Sequence, residues 1–447
     1  MNTDSVFYHI YPLGFCGAPP KNDFSSPPGS GLRSLIGHIP HLLDLGINGL
    51  YIGPLFESGS HGYDTVDYFW VDRRLGNNED LKALVRACHE AGIKVVLDAV
   101  FNHSGRDFFA FKDIQQKLDA SPYRDWYAGM DFSKPNNRGD SFSYGSWAGY
   151  NSLVKFDGNN PQARDHLCGA AEFWIKEFDI DGLRLDAAAD LFPAFMDELS
   201  IRCKKLKPGF WLMGEVVGGD YRNWARAGRL DSVTNYELYK SLWSSFNDRN
   251  FFELAWTLTR QWGPEGIYRD IPLYNFTDNH DVDRVASSLK NKAHLFPLYG
   301  IFFCLPGIPS LYYGSEYGVT GERTKTSDLD LRPRWNPAWA SAGENGTLYG
   351  AIRDFIRIRK ETPCLRGGSC RQLHVSPEQF AFMREDGTSQ ILAAVNASKE
   401  TVTLWIPGTV LRSGKTRWRD LLSGEEFSAS SGGISVPLHP SWLRILA

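Results

Sequence analysis

Three carboxylates stand at the ends of three separate apolar runs: Asp186 in Asp181-Gly-Leu-Arg-Leu-Asp186, Glu215 in Phe210-Trp-Leu-Met-Gly-Glu215, and Asp281 in Phe276-Thr-Asp-Asn-His-Asp281. Arg184 precedes Asp186 by two positions, and the strand period of two puts both side chains on one face. An Arg fork beside a carboxylate holds it ionised and oriented, as a nucleophile requires. Taken alone, the same six residues read equally well as a structural ion pair. If the three carboxylates meet in one desolvated pocket they repel, and one keeps a proton at neutral pH and becomes a general acid. An acid, an ionised nucleophile and a third carboxylate suit cleavage of a glycosidic bond through an oxocarbenium-like transition state. His103 and His280, beside these carboxylates, keep a metal-dependent hydrolase as a competing reading. Against it, no His-x-x-Glu or His-x-His spacing occurs, and an Arg is misplaced beside a dication.

The elements that must bring these groups together are readable as well. β-rich runs at 6–12, 47–53, 93–100, 181–186, 210–215, 231–237, 271–278 and 308–314 give eight strands. A helical stripe over Leu32–Leu45 closes at Gly46, and another over Leu81–Cys88, capped by Asn78, closes at Gly92. Repeated strand–helix–strand units with eight strands predict a (β/α)8 TIM barrel of class α/β, with active residues at the C-terminal strand ends. The third and fourth strands begin at 93 and 181, far beyond the roughly 30 residues of an ordinary unit. The excess predicts a small insertion domain at 104–158, rich in Trp, Tyr, Gly and Asn. After about residue 370, short β runs at 379–384, 391–395 and 401–406 predict an antiparallel β-sandwich. The expected division is 1–103 with 159–370 for the barrel, 104–158 for the insertion and 371–447 for the C-terminal domain.

The chain has 447 residues, 42% of them hydrophobic, and a formal charge of -4, so no basic field points to nucleic acid or an anionic membrane. Seven Cys without framework or C-x-x-C spacing suit reduced thiols. The first residues lack a charged segment followed by an apolar one, and no apolar run is long enough to span a bilayer. A cytoplasmic chain is expected, monomeric or weakly oligomeric.

With these residues in place, the chain resembles the α-amylase family of retaining α-glucoside hydrolases and transglycosylases. The resemblance rests on Asp98-Ala-Val-Phe-Asn-His103, Gly182-Leu-Arg-Leu-Asp186, Gly214-Glu215-Val216 and Phe276-Thr-Asp-Asn-His-Asp281, in order along the chain. Ser152-Leu-Val-Lys-Phe-Asp157 and the run Gly307 to Glu316 add to it. It implies Asp186 as nucleophile, Glu215 as acid/base and Asp281 as the third carboxylate that binds sugar hydroxyls. Arg184 would position the nucleophile, His103 and His280 would hydrogen-bond the sugar before the cleaved bond, and Tyr63 would stack on it. Asp328 and Arg332 would bind the next sugar, although Asp330 and Arg334 share their spacing. Asp98 is expected to support the loop carrying His103, and Trp126, Trp147 and Trp335 either stack on sugars or pack.

The sequence departs from the family pattern at three places. Ala188-Ala189-Asp190 stands where secreted α-amylases often carry Lys-His at an acceptor subsite. The Asp-x-Asn-x-Asp-Gly calcium pattern is missing, so Asn102 is the sole, weak calcium candidate and no cofactor is expected. Nor is the N-terminal β domain of neopullulanases and cyclomaltodextrinases expected, or the route to dimers that it gives them. The resemblance implies hydrolysis of α-1,4 bonds in malto-oligosaccharides and other α-glucans. A transglucosylase, a glucosyl isomerase and an inactive glycan-binding homologue are the alternatives.

Overall fold

The computed structural model describes residues 1–341, 345–411 and 414–447. Eight parallel strands form the central sheet: β1 (Phe7–Ile10), β2 (Gly49–Ile52), β3 (Lys94–Ala99), β7 (Gly182–Leu185), β8 (Trp211–Gly214), β9 (Ser232–Val233), β10 (Tyr274–Phe276) and β11 (Ile308–Tyr312). β1 pairs with β11 on one side and β2 on the other. A parallel bridge from Thr234 to Tyr274 joins the two ends of the sheet, so the barrel closes. Helices cover the outside, and both strand faces are therefore buried, which is why the strands read as apolar runs.

The interior changes character along the strands. Its lower layer is apolar, with Phe7, Tyr51, Val96, Trp211, Met213, Tyr274, Phe276 and Ile308 in one cluster. Two residues further along β3 Val96 gives way to Asp98, and along β7 Gly182 gives way to Arg184. Gly182 is required because a Cβ there would lie 2.5 Å from the Trp211 carbonyl oxygen. Trp211 thus fills the floor on which the charged layer rests.

Three local expectations are corrected. The helix expected over 32–45 is two helices, Gly31–Ile36 and Ile39–Leu45, because Pro40 brings no N–H and starts the second. Gly46 does end it, at φ 83°. The helix Asn78–Glu90 is capped by Asn77, not Asn78, in a reciprocal box in which the Asp80 carboxylate returns the bond. The sixth strand covers only Ser232–Val233, since Asn235 turns the chain and caps a helix from Tyr236.

Between β3 and β7 rises a small antiparallel sheet of β4 (His103–Gly105), β5 (Ser146–Trp147) and β6 (Tyr150–Lys155). C-terminal strands Ser369–Val375, Gln379–Glu385, Gln390–Asn396 and Trp442–Leu446 form one four-stranded sheet; Val402–Pro407, Arg417–Arg419, Glu426–Ser430 and Gly433–Leu438 form another. Alternation along Gln379–Glu385 sends Ala381 and Met383 into the sandwich core and Phe380 and Phe382 toward the barrel helices. The first sheet is consequently buried on both faces. Among the described residues no helix is long and apolar enough to cross a membrane.

Candidate active site

The register of β3 against β7 pairs Asp98 with Arg184 and Ala99 with Leu185. Ladder bonds run one residue past the strand ends: Asp186 N–H donates to Ala99 O at 3.1 Å and Glu215 N–H to Leu185 O at 2.9 Å. Asp186 and Glu215 therefore leave neighbouring strands at the same height. Gly214 lets this happen, because a Cβ there would press on Ala188 and Leu230 at 2.8 and 2.6 Å.

One guanidinium organises the acidic groups. Arg184 Nη1 donates to Asp98 Oδ1 and to Asp186 Oδ1, both at 2.9 Å, while Nη2 lies 2.8 Å from Glu215 Oε1. Two arms of one planar fork thus hold Asp186 and Glu215 beside each other. Burial opposes the Arg184 charge, but the carboxylates of Asp98 and Glu215 outweigh it and raise the group well above the usual Arg value. Burial pushes the Asp186 carboxyl up, against Arg184, and the charges of Glu215 and Asp98 push it further. The pocket accordingly retains a proton, as expected for crowded carboxyls. The other Glu215 oxygen accepts the Ala187 N–H at 3.0 Å. Ala187 adopts φ 45°, a left-handed conformation that costs a non-glycine residue energy and turns the chain just beyond Asp186.

Asp281 sits across the pocket in a different setting. Burial alone would raise its carboxyl, yet His280 Nε2 at 2.9 Å and Arg332 Nη2 at 3.0 Å hold it well below the usual range. Arg332 also reaches Asp328 at 2.7 Å and donates to the His280 carbonyl at 3.1 Å. The structure thus brings Asp328 and Arg332 to the site. Asp330 is exposed, and Arg334 lies against Gly17 instead.

The His280 ring is near-parallel to two neighbours, Tyr63 with centroids 5.5 Å apart and Tyr11 at 5.8 Å, and the Tyr63 hydroxyl hydrogen-bonds its Nε2. The Tyr63 hydroxyl also donates to Asp98 Oδ2 at 3.2 Å. His103 is buried, its Nε2 3.0 Å from the Tyr63 carbonyl and its Nδ1 3.3 Å from the Asn102 amide nitrogen. Burial lowers its imidazole to about 3, so the ring is neutral. His103 spends both nitrogens on positioning Tyr63 and Asn102, and a sugar hydroxyl would have to displace one of those partners.

Asp98 does not support the His103 loop. Its oxygens accept from Arg184, Tyr51 and Tyr63, which makes it the counter-charge behind the nucleophile. Sequence reasoning also passed over His9, edge-on to His280 at 5.2 Å, and Tyr236, whose hydroxyl lies 3.4 Å from Glu215 Oε1. His9 lies on β1 and Tyr236 opens the helix just beyond β9, and that position was the available signal. Asn102 uses its amide nitrogen on His103, and among the described residues no three His, Cys, Asp or Glu side chains converge to hold a metal ion.

Comparisons with known proteins bear on the family. The family model described as "Alpha amylase, catalytic domain" matches residues 9–333, and "Maltogenic Amylase, C-terminal domain" matches 370–442. A cyclomaltodextrinase of Geobacillus thermopakistaniensis is 32% identical over 98% of this chain and 76% of its own length. Neopullulanase 2 of Thermoactinomyces vulgaris is also 32% identical, over 98% and 76%. Among solved structures, the acarbose-soaked debranching enzyme of Nostoc punctiforme superposes with a TM-score of 0.83 at 29% identity, covering 100% of this chain and 98% of that one.

Proposed function

The chain belongs to the alpha-amylase family of glycosidases, and from that premise we propose that it hydrolyses α-1,4-glucosidic bonds of malto-oligosaccharides by a retaining double displacement. The observation that carries this reading is the single Arg184 fork on both Asp186 and Glu215. Glu215 acts as the general acid and gives a proton to the glycosidic oxygen as the bond to the leaving sugar breaks. The Asp186 carboxylate attacks the anomeric carbon from the opposite face and forms a glucosyl ester. Glu215, now ionised, takes a proton from water, whose oxygen attacks the same carbon and frees Asp186. Asp281, kept ionised by His280 and Arg332, faces the positive charge that builds on the sugar ring. Tyr63 offers its ring to the sugar, fixed by His280 and Asp98. The chain's own side chains carry every step, without a cofactor. The seven unpaired thiols suit a reducing cytosol as the place of action.

Asp186→Asn tests the assignment. Turnover of maltotriose should fall at least about 10⁴-fold, with the circular dichroism spectrum retained. Undiminished hydrolysis by that variant would overturn the assignment.

A further inference from the structure

Of the three tryptophans that stack on sugars or pack, two pack. Trp126 is buried beside Tyr123 and Phe109, and Trp335 stacks on Phe15. Trp147 is half-exposed at the tip of the insertion sheet. Its strand β5 turns into β6 through Ala148 at φ 48° and Gly149 at φ 80°, a two-residue hairpin turn in which a non-glycine residue is strained. The turn sets Trp147 beside Tyr150, with ring centroids 6.1 Å apart and planes at 23°, and Tyr150 is exposed.

The Trp147 indole N–H donates to Asp190 Oδ2 at 3.1 Å, tying the insertion sheet to the loop after β7. On the pocket side the ring lies 5.9 Å from His103. The loop that holds it begins at Ala187, the residue bonded to Glu215. Because Glu215 delivers its proton to the leaving oxygen, Ala187 to Asp190 border the leaving-sugar half of the cleft. One hydrogen bond to an exposed carboxylate contributes little to folding, but it does fix the plane of a ring. An indole face with a fixed plane, at the mouth of a sugar cleft, is a stacking surface.

We propose that Trp147, oriented by Asp190 and flanked by Tyr150, is the platform for the sugar on the leaving-group side, and that it governs how the glucosyl ester divides between water and a sugar acceptor. This rests on the glycosidase reading above and extends it to the acceptor. In transfer, an acceptor hydroxyl oxygen held on Trp147 bonds the anomeric carbon, its proton passes to Glu215, and the ester bond to Asp186 breaks to restore the carboxylate. In hydrolysis water takes the same path. Trp147 therefore touches substrate, and Asp190 is a positioning residue.

α-Maltosyl fluoride separates the two halves of the cleft, since fluoride is too small to use a sugar platform. For Trp147→Ala, the ratio of kcat/KM on maltotriose to that on α-maltosyl fluoride should fall about tenfold. Longer oligomers formed from concentrated maltotriose should fall by a similar factor relative to glucose released. Asp190→Ala should shift the same ratio about threefold, mostly through KM. Asp190→Asn, whose amide oxygen still accepts the indole N–H, should restore it. A ratio unmoved in both Trp147→Ala and Asp190→Ala overturns the proposal, as does an equal loss on both substrates. Failure of the unmodified chain to act on either substrate would strike the glycosidase reading instead.

Discussion

Arg184 and the pair Arg359 and Arg384 are all buried guanidinium groups, yet they are compensated in opposite ways. Arg184, at the C-terminal ends of the strands, faces the carboxyls of Asp98, Asp186 and Glu215. Arg359, below β11, donates to the carbonyls of Phe303, Leu305 and Gly307 at 2.6–3.0 Å. Arg384, on a strand of the C-terminal domain, donates to the carbonyls of Cys304, Leu365, Gly368 and Ser369. Burial raises no obstacle that the carboxylates cannot overcome at Arg184, which ends up raised, whereas burial lowers both Arg359 and Arg384. Carbonyl dipoles satisfy donors without a full opposite charge. The first arrangement poises carboxylates for chemistry; the second closes the backbone where the barrel meets the C-terminal domain.

Paired substitutions separate those two roles. Arg184→Met should lower kcat about 10³-fold, since Asp186 and Glu215 lose the fork that spaces them. Three buried carboxyls also lose their counter-charge, so its melting point should fall as well. Arg384→Met should cost stability alone, about 3 kcal/mol because four buried carbonyls lose their donor. Calorimetry would show that loss as a melting point lower by several degrees, with kcat within about twofold of the unmodified chain. Equal activity losses in the two variants would erase the distinction.

Much of this was legible in the sequence, for a physical reason. Parallel strands buried on both faces leave continuous apolar runs, so all eight strands were found in order, and a functional group at the end of such a run is conspicuous. Asp186, Glu215 and Asp281 stand out on that ground. What stayed hidden depends on lateral register. Asp98 reads as a loop support in the sequence because its partner, Arg184, lies 86 residues away and becomes its neighbour only through the pairing of β3 with β7. His9, Tyr11 and Tyr236 stayed hidden as well, being aromatic residues on a strand or just beyond one, where packing is the ordinary explanation. The break in the helix at Gly37 and His38 was masked by an apolar stripe that runs on unbroken across it.

The clusters should also differ in their response to pH. Burial raises the Asp186 carboxyl above its ordinary value of 3.8. Between that value and the raised one the folded chain holds a proton that the unfolded chain has released, so stability falls as pH rises. Asp186→Asn removes this penalty. Its melting point should match that of the unmodified chain near pH 4, rise above it with increasing pH, and level off above the raised value. The gain at neutral pH should be about 1 kcal/mol, typical of relieving a functional strain. Arg384→Met, with no carboxylate partner, should show a melting difference that is flat over the same range. A flat difference for Asp186→Asn would mean that Arg184 fully cancels the burial of Asp186.

The smallest effect concerns how Glu215 is held. Arg184 grips one of its oxygens and the Ala187 N–H the other, and Ala187 must keep φ 45° to do so. Ala187→Gly removes a strain of about 1 kcal/mol in the folded chain. It also adds about 0.4–1 kcal/mol of entropy to the unfolded chain. Melting should therefore move by no more than about 1–2 °C. Glycine visits many backbone conformations, however, so the N–H should point at Glu215 for less of the time. We expect kcat on maltotriose to fall about threefold with KM steady, and an aryl α-maltoside with a good leaving group, which needs less help from the acid, to be affected less. If kcat holds on both substrates, the guanidinium alone positions the acid, and the strained turn at Ala187 serves only to route the chain toward Asp190.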